Sequence, residues 1–158
     1  MKSFLLKDKR PTIMWGKIPH GYFFEGNVPE GYGLAICPSE GYVILDIDRH
    51  GSINGFDNVP PDIKSLLKDH FSYPTKNKGM HVWLKCTGNK ALANKASGLG
   101  IDLRTHKGYV KWYLPGDVRE YMDNIKDTIL ALHRNKEVDL FAEQSLNEAL
   151  KLEEGNTK

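Results

Sequence analysis

The stretch Tyr42-Val43-Ile44-Leu45-Asp46-Ile47-Asp48 decides the fold. A short run of apolar and β-branched residues favours a buried strand. Because side chains alternate between the two faces of a strand, Asp46 and Asp48 share one face, with Cα atoms roughly 6.5 Å apart. The opposite face carries apolar side chains, namely Val43, Leu45 and Ile47. We therefore expect a core strand that ends in two acids.

Two adjacent carboxylates at the end of an apolar strand are costly unless positive charge lies close to them. Mg²⁺ is commonly held by one or two carboxylates together with substrate phosphates. Asp46 and Asp48 therefore indicate a divalent-metal site. Taken alone, the pair also fits a strand end that simply runs into solvent.

Composition is that of one ordinary globular domain, with 158 residues, 40% hydrophobic and 27% charged. The sequence has no apolar run near the ~20 residues of a membrane span and no signal peptide, so we expect a cytoplasmic protein without a membrane partner. Cys37 and Cys86 are far apart and lack zinc spacing, which predicts buried, reduced thiols.

Charge is distributed unevenly along the chain. Residues 1–116 carry ten acids and sixteen bases, whereas residues 117–158 carry ten acids and six bases. A basic segment that also holds the acidic pair suits a phosphate-rich partner. The alternative is an ordinary solvated surface.

The first thirty residues are expected to be irregular, because Pro11, Pro19 and Pro29 interrupt them. Within them, three cations, Lys9, Arg10 and Lys17, accompany the aromatic ring of Trp15, a pattern that can hold phosphates and stack a base. The alternative for Trp15 is packing on the core.

The remaining pattern alternates strands with helices. We predict strands at 31–37 and 42–48 joined as a hairpin, an amphipathic helix at 61–71, and a return strand at 108–114. Beyond Gly116 the apolar period becomes helical, with Asp117 as N-cap and a second helix at about 138–152.

Two further stretches carry polar groups on strands. The loop containing Lys76 and Lys78 leads into a strand in which His81 can donate to a phosphate oxygen; a histidine bonded to a neighbouring carbonyl is the alternative. Farther on, Asp102 and Arg104 alternate onto one strand face, where they can also form a simple surface ion pair.

Taken in order, these segments resemble the primase-polymerase (Prim-Pol) domain of phage and plasmid replication proteins, in the archaeo-eukaryotic primase superfamily. The motifs are Asp46-Ile47-Asp48, then Pro74-Thr75 with Gly79-Met80-His81, then Ile101-Asp102-Leu103-Arg104 with Gly108-Tyr109-Val110, after an opening Lys9-Arg10-Pro11 and Trp15-Gly16-Lys17. The likeness spans about residues 9–115. The sequence departs from the family pattern at Asn77-Lys78 and in the segment after Val110.

The resemblance implies an α/β (α+β) fold with an RRM-like mixed or antiparallel sheet that bears the acids, flanked by helices. Residues 1–116 would form the catalytic core and residues 117–158 a C-terminal helical appendage. The implied activity is template-dependent nucleotidyl transfer by two Mg²⁺ or Mn²⁺ ions held by Asp46, Asp48 and Asp102.

The same resemblance assigns the nucleotide phosphates to His81, with Lys76, Lys78 or Arg104 offsetting the remaining charge. Weaker nucleic-acid contacts are expected at Arg10, Trp15, Lys17 and Lys107. The implied partners are nucleoside triphosphates, a single-stranded DNA template with its primer, and a replicative helicase supplied in trans, in a bacterial or archaeal host cell.

Two other function classes stay open at this point. A metal-dependent nuclease can use the same acids, and a non-catalytic nucleic-acid-binding module can use the same basic surface. Binding of a nucleoside triphosphate that depends on Mg²⁺ discriminates among the three. We also expect the acidic C-terminal segment to repel template, so that primer extension exceeds synthesis on unprimed DNA.

Overall fold

The computed structural model describes residues 1–39, 42–59, 70–85, 95–96 and 100–125. The predicted helices at 61–71 and 138–152 fall almost entirely outside these ranges. Within them, no helix is both long and apolar enough to cross a membrane.

One sheet has five antiparallel strands, and the acidic strand lies at its centre. The strands are β4 (Tyr42–Ile47), β7 (Ser72–Pro74), β8 (Met80–Lys85), β9 (Lys95–Ala96) and β10 (Ile101–Arg104). Their order across the sheet is β7-β8-β4-β10-β9. The predicted strand at 42–48 is therefore confirmed to within one residue.

The two faces of this sheet differ in character, as the alternation predicts. One face is apolar and contributes Val43, Leu45, Ile47, Val82, Leu84 and Ile101 to a buried cluster. The other face buries Ile44 and Trp83 at one end and carries Asp46 and His81 at the other. Asp46 and His81 thus lie together on one half of one face of the five-stranded sheet.

A second sheet has four antiparallel strands in the order β11-β3-β1-β2. They are β1 (Lys2–Lys7), β2 (Arg10–Pro11), β3 (Tyr32–Cys37) and β11 (Val110–Lys111). A small hairpin of β5 (Arg49–His50) and β6 (Ile53–Asn54) completes the described strands.

The expectation of an irregular N-terminus was wrong for its first eleven residues. Phe4 and Leu6 alternate inward from β1 and pack on Ala35 and Cys37, which gives the segment enough buried area to form a strand. Pro11 is compatible with this arrangement because it lies on a two-residue edge strand, where a missing N–H is tolerated.

The predicted hairpin between the first two central strands was also wrong, because β3 and β4 belong to different sheets. Both strands contain runs buried from end to end, Leu34–Cys37 and Val43–Leu45. Such runs indicate a strand covered on both faces. Here the cover comes from a core between the sheets, in which Ile36 of β3 and Ile44 of β4 are fully buried.

The C-terminal part of the described chain closes over this core. The predicted return strand is reduced to β11, and the chain then reaches a 3-10 turn at Val118–Tyr121. Asp117 caps this turn by accepting from the Arg119 N–H, and residues 122–125 begin an α-helix. The result is the α+β class that the sequence predicts, with antiparallel sheets.

Replacing Phe4 by alanine tests whether β1 is a core strand. The ring is 1% exposed and packs on Trp15 and Tyr109, so we expect the free energy of unfolding to fall by about 3–5 kcal/mol. Ile13→Ala is the control, since that side chain is 43% exposed, and it should change stability by less than about 0.5 kcal/mol. Equal denaturation midpoints for the two variants would contradict the packing described here.

Candidate active site

Four polar side chains lie in one row across the five-stranded sheet. Cross-strand register places Tyr73 opposite His81, His81 opposite Asp46, and Asp46 opposite Asp102. Directly opposed residues point to the same face, with Cβ atoms about 5 Å apart. The sheet therefore brings two of the three predicted acids and the predicted histidine together.

Each of these two acids lies beside a side chain that can carry positive charge or donate a hydrogen bond. Nε2 of His81 lies 3.3 Å from Oδ1 of Asp46, and the Arg104 guanidinium lies 3.7 Å from Oδ2 of Asp102. His81 is buried, whereas Asp46, Asp102 and Arg104 are half-buried. In such surroundings the effective dielectric is lower than in water, so these charges interact more strongly than at an open surface.

Asp48 is placed by tight backbone packing just past the end of β4. Its N–H donates to the Gly100 carbonyl, and its carbonyl accepts from the Gly55 N–H, both at 2.8 Å. A side chain at Gly55 would collide with the Gly100 carbonyl, so this approach requires glycine. The Asp48 carboxylate lies near Gly79, at the entrance to β8.

A groove with a volume of about 610 Å³ opens next to the row. Asp46, His81 and Arg104 line it from the five-stranded sheet, and Tyr32 and Lys111 line it from the other sheet. Further charged and aromatic groups of its wall are Asp8, Lys9, Tyr109 and Tyr113. The groove is within the ordinary size range of a small-ligand site.

Tyr113 is a groove residue that sequence reasoning missed. Its ring lies 5.8 Å from that of His81. Burial raises the pKa of Tyr113, and the charges of Asp46 and Asp48 raise it further. The pattern Lys111-Trp112-Tyr113 was treated only as a departure from the family sequence, although its alternation places Lys111 and Tyr113 on the same side.

Lys76 and Lys78 lie in the exposed loop that leads into β8. The Thr75 N–H donates to the Gly79 carbonyl, which closes the loop, and both Asn77 and Lys78 have left-handed backbone conformations. A lysine in this conformation is uncommon and costly outside functional loops. The groove wall itself contains Lys9, which belongs to the opening motif of the sequence, and Lys111, a cation that the sequence analysis did not select.

The predicted nucleic-acid residues lie apart from the groove wall. Trp15 packs on Phe4 and Tyr109, so its ring belongs to the core of the four-stranded sheet, as the alternative interpretation held. Arg10, Lys17 and Lys107 are exposed.

The family model for the N-terminal part of bifunctional DNA primase/polymerase matches residues 9–127. The chain belongs to this Prim-Pol family. The match includes every motif on which the sequence resemblance rests and extends into the described helix. No curated protein matches the chain. Family membership indicates DNA primase/polymerase activity, with DNA and nucleotides as partners.

Prim-Pol proteins typically use divalent metals, which raises the question of whether the acids here fit such ions. Among the described residues, no group of three or more His, Cys, Asp or Glu side chains is arranged to hold a metal ion by itself. Asp46 and Asp102 nevertheless supply hard oxygen donors from adjacent strands, which is the donor type that Mg²⁺ and Mn²⁺ prefer. Mg²⁺ needs only one or two such carboxylates when phosphates and water complete its shell.

Gly55→Ala tests the backbone packing that holds Asp48. The added Cβ would overlap the Gly100 carbonyl, so we expect a loss of about 1–3 kcal/mol in the free energy of unfolding. Gly16→Ala is the matched control, because a Cβ there meets no atom within 4 Å. Chemical denaturation of both variants makes the measurement, and a Gly55→Ala protein as stable as the control would refute the close approach.

Proposed function

We propose that this chain catalyses template-dependent transfer of nucleotides from nucleoside triphosphates to a DNA primer in phage or plasmid replication. The observation that carries the proposal is the row of Asp102, Asp46 and His81 on one sheet face beside a groove. Nucleotidyl transfer requires acids for metal ions and donors for phosphates, and here His81 lies 3.3 Å from Asp46.

Asp46 and Asp102 would hold the divalent ions, with Asp48 as the third carboxylate. Two bound ions would lower the pKa of the primer 3′-hydroxyl and offset charge on the triphosphate and the leaving pyrophosphate. Asp46 lines the groove directly, and Asp102 lies beside it on β10. The Asp48 carboxylate lies near Gly79, just past the end of β4. This position suits a third metal-binding carboxylate that completes the site from the end of the strand.

His81 and Arg104 would hold the phosphates of the incoming nucleotide. In the ligand-free arrangement both face acids rather than phosphates, at 3.3 Å and 3.7 Å. A metal–triphosphate complex offers cations to the acids and anions to His81 and Arg104 at the same time. Binding then exchanges one set of charge contacts for another and leaves no buried charge unpaired.

The rest of the groove would hold the growing end of the primer or the base of the nucleotide. Lys9 and Lys111 place positive charge along the wall opposite the acids, and Tyr32 and Tyr113 offer aromatic faces. This combination is typical of grooves that follow a single strand by phosphate contacts and stacking.

Asp46→Asn and Asp102→Asn test the catalytic assignment. The amide oxygen still accepts a hydrogen bond but no longer ligates a cation strongly, so we expect folded proteins whose primer extension falls by roughly 10³-fold. Extension of a labelled primer with dNTPs and Mg²⁺ or Mn²⁺ measures the effect.

Asp8→Asn is the matched control for these variants. Asp8 lines the same groove but from the β1–β2 turn, and asparagine tolerates its left-handed backbone. This variant should extend primers at close to the wild-type rate. Absence of extension by folded wild-type protein with either metal, beside an active control polymerase, would overturn the proposed function.

Metal and nucleotide should bind together rather than separately. Mg²⁺ alone must displace His81 and Arg104 from the acids without providing them with new partners, so we expect little change in melting temperature. Mg²⁺ with a dNTP at about 100 times its Kd should stabilise the fold by about 2.7 kcal/mol. Thermal unfolding with each component alone and with both provides the measurement, and Asp46→Asn should lose the joint effect.

This titration also separates the rival classes. A binding module would show no Mg²⁺-dependent stabilisation by dNTP, and a nuclease would degrade labelled DNA without any nucleotide. On unprimed templates we expect little product from this chain alone, because residues 117–158 carry a net charge of −4. A replicative helicase supplied in trans is the partner that we propose for chain initiation.

A further inference from the structure

A buried chain of hydrogen-bonding groups ends at Nδ1 of His81, the ring nitrogen that is not next to Asp46. The Tyr73 hydroxyl lies 3.2 Å from Nδ1 of His81, and Nε1 of Trp83 donates to the same hydroxyl at 3.3 Å. All three side chains are buried; Tyr73 and His81 are each 3% exposed. Nε2, the other ring nitrogen of His81, lies 3.3 Å from Asp46.

The position of each hydrogen in this chain follows from what each group can do. An indole N–H only donates, so Trp83 occupies a lone pair of the Tyr73 oxygen. The hydroxyl keeps one hydrogen to donate, and Nδ1 of His81 is the acceptor that the described residues place within reach. A hydrogen on Nδ1 would leave the hydroxyl hydrogen buried without a partner, which is unfavourable.

We propose that Tyr73 is a positioning residue that fixes His81 as the neutral tautomer with its hydrogen on Nε2, directed toward the acidic row. His81 is then a hydrogen-bond donor to whatever anion occupies that side, Asp46 in the free protein and a phosphate oxygen in the complex. The second role rests on the proposed function, whereas the first concerns the ligand-free protein.

Two properties of Tyr73 suit it to this task. Burial raises the pKa of Tyr73 well above its ordinary value, and the charge of Asp46 acts in the same direction, so the hydroxyl keeps its hydrogen at physiological pH. Its ring is also held on several sides, by Phe71 at 5.7 Å, Trp112 at 5.1 Å and His81 at 5.3 Å. The hydroxyl is thus directed at Nδ1 by packing and by the register of β7 on β8.

The tautomer can be measured without any ligand or activity. Long-range ¹⁵N–¹H correlation spectra at about pH 8, above the ordinary histidine pKa, distinguish the three forms of the ring. His81→Gln identifies the signal of His81 among those of the six histidines. We expect a neutral ring with the hydrogen on Nε2; a hydrogen on Nδ1, or on both nitrogens, would overturn the proposal.

Tyr73→Phe removes the hydroxyl and keeps the ring, so His81 should then populate both neutral tautomers. Tyr121→Phe is the matched control, because Tyr121 belongs to the same aromatic cluster but donates to the Pro115 carbonyl and leaves His81 untouched. An unchanged tautomer in a folded Tyr73→Phe protein would show that Tyr73 does not fix the ring. The wild-type spectrum decides the question even where that variant fails to fold.

Kinetics then tests the consequence for the proposed function. With a correctly folded Tyr73→Phe protein, we expect KM for the nucleoside triphosphate to rise about tenfold, with a smaller change for Tyr121→Phe. A wild-type protein with the Nε2 tautomer that extends no primer would refute the function and leave the positioning role intact. A wild-type protein that extends primers with hydrogen on Nδ1 would refute the positioning role alone.

Discussion

The register of three neighbouring strands is the constraint on which the rest of this molecule depends. β4 is paired with β8 on one side and β10 on the other, so Asp46 faces His81 and Asp102 at once. Because side chains alternate with a period of two, a slip of one residue in either pairing would turn His81 or Asp102 into the apolar cluster on the other face. The burial of Val43 and Leu45 opposes such a slip, since it would expose apolar area and bury charge. The apolar cluster on one face of the sheet thereby fixes the geometry of polar groups on the opposite face.

A sheet face also explains why the site tolerates so much charge. His81 lies beside Asp46 and Arg104 lies beside Asp102, so each of these carboxylates has a favourable neighbour before any ligand arrives. Under the proposed function the same neighbours hold phosphates, so one set of side chains would serve both the stability of the free protein and the recognition of its ligand. Positions on paired strands are also more rigid than positions on loops, and nucleotidyl transfer relies chiefly on positioning and electrostatics.

The sequence predicts those features that depend on local period and leaves out those that depend on pairing. Alternation correctly places the side chains of Asp46 and Val43 on opposite faces of the sheet, and those of Asp102 and Arg104 on the same face. The reason is that backbone geometry fixes the two-residue period of a strand. Which strands are neighbours is a long-range property, so the hairpin expected between β3 and β4 was wrong. Tyr73 and Tyr113 were missed for the same reason, since their contacts with His81 exist only through register and chain return. The N-terminal strand carries a weak local signal, because Phe4, Leu5 and Leu6 form a short apolar run without alternation and its partner β3 lies far along the chain.

The five-stranded sheet separates two tasks that many enzymes mix within one set of side chains. Its apolar face, built on Val43, Leu45 and Val82, lies on the side away from Asp46, and none of these three residues lines the groove. Directed evolution for heat resistance can therefore explore repacking behind the sheet while the front stays constant. Under the proposed function, template or nucleotide preference would change separately, through the groove residues Lys9, Tyr32 and Lys111. The architecture thereby lets stability and ligand preference be adjusted through different sets of residues.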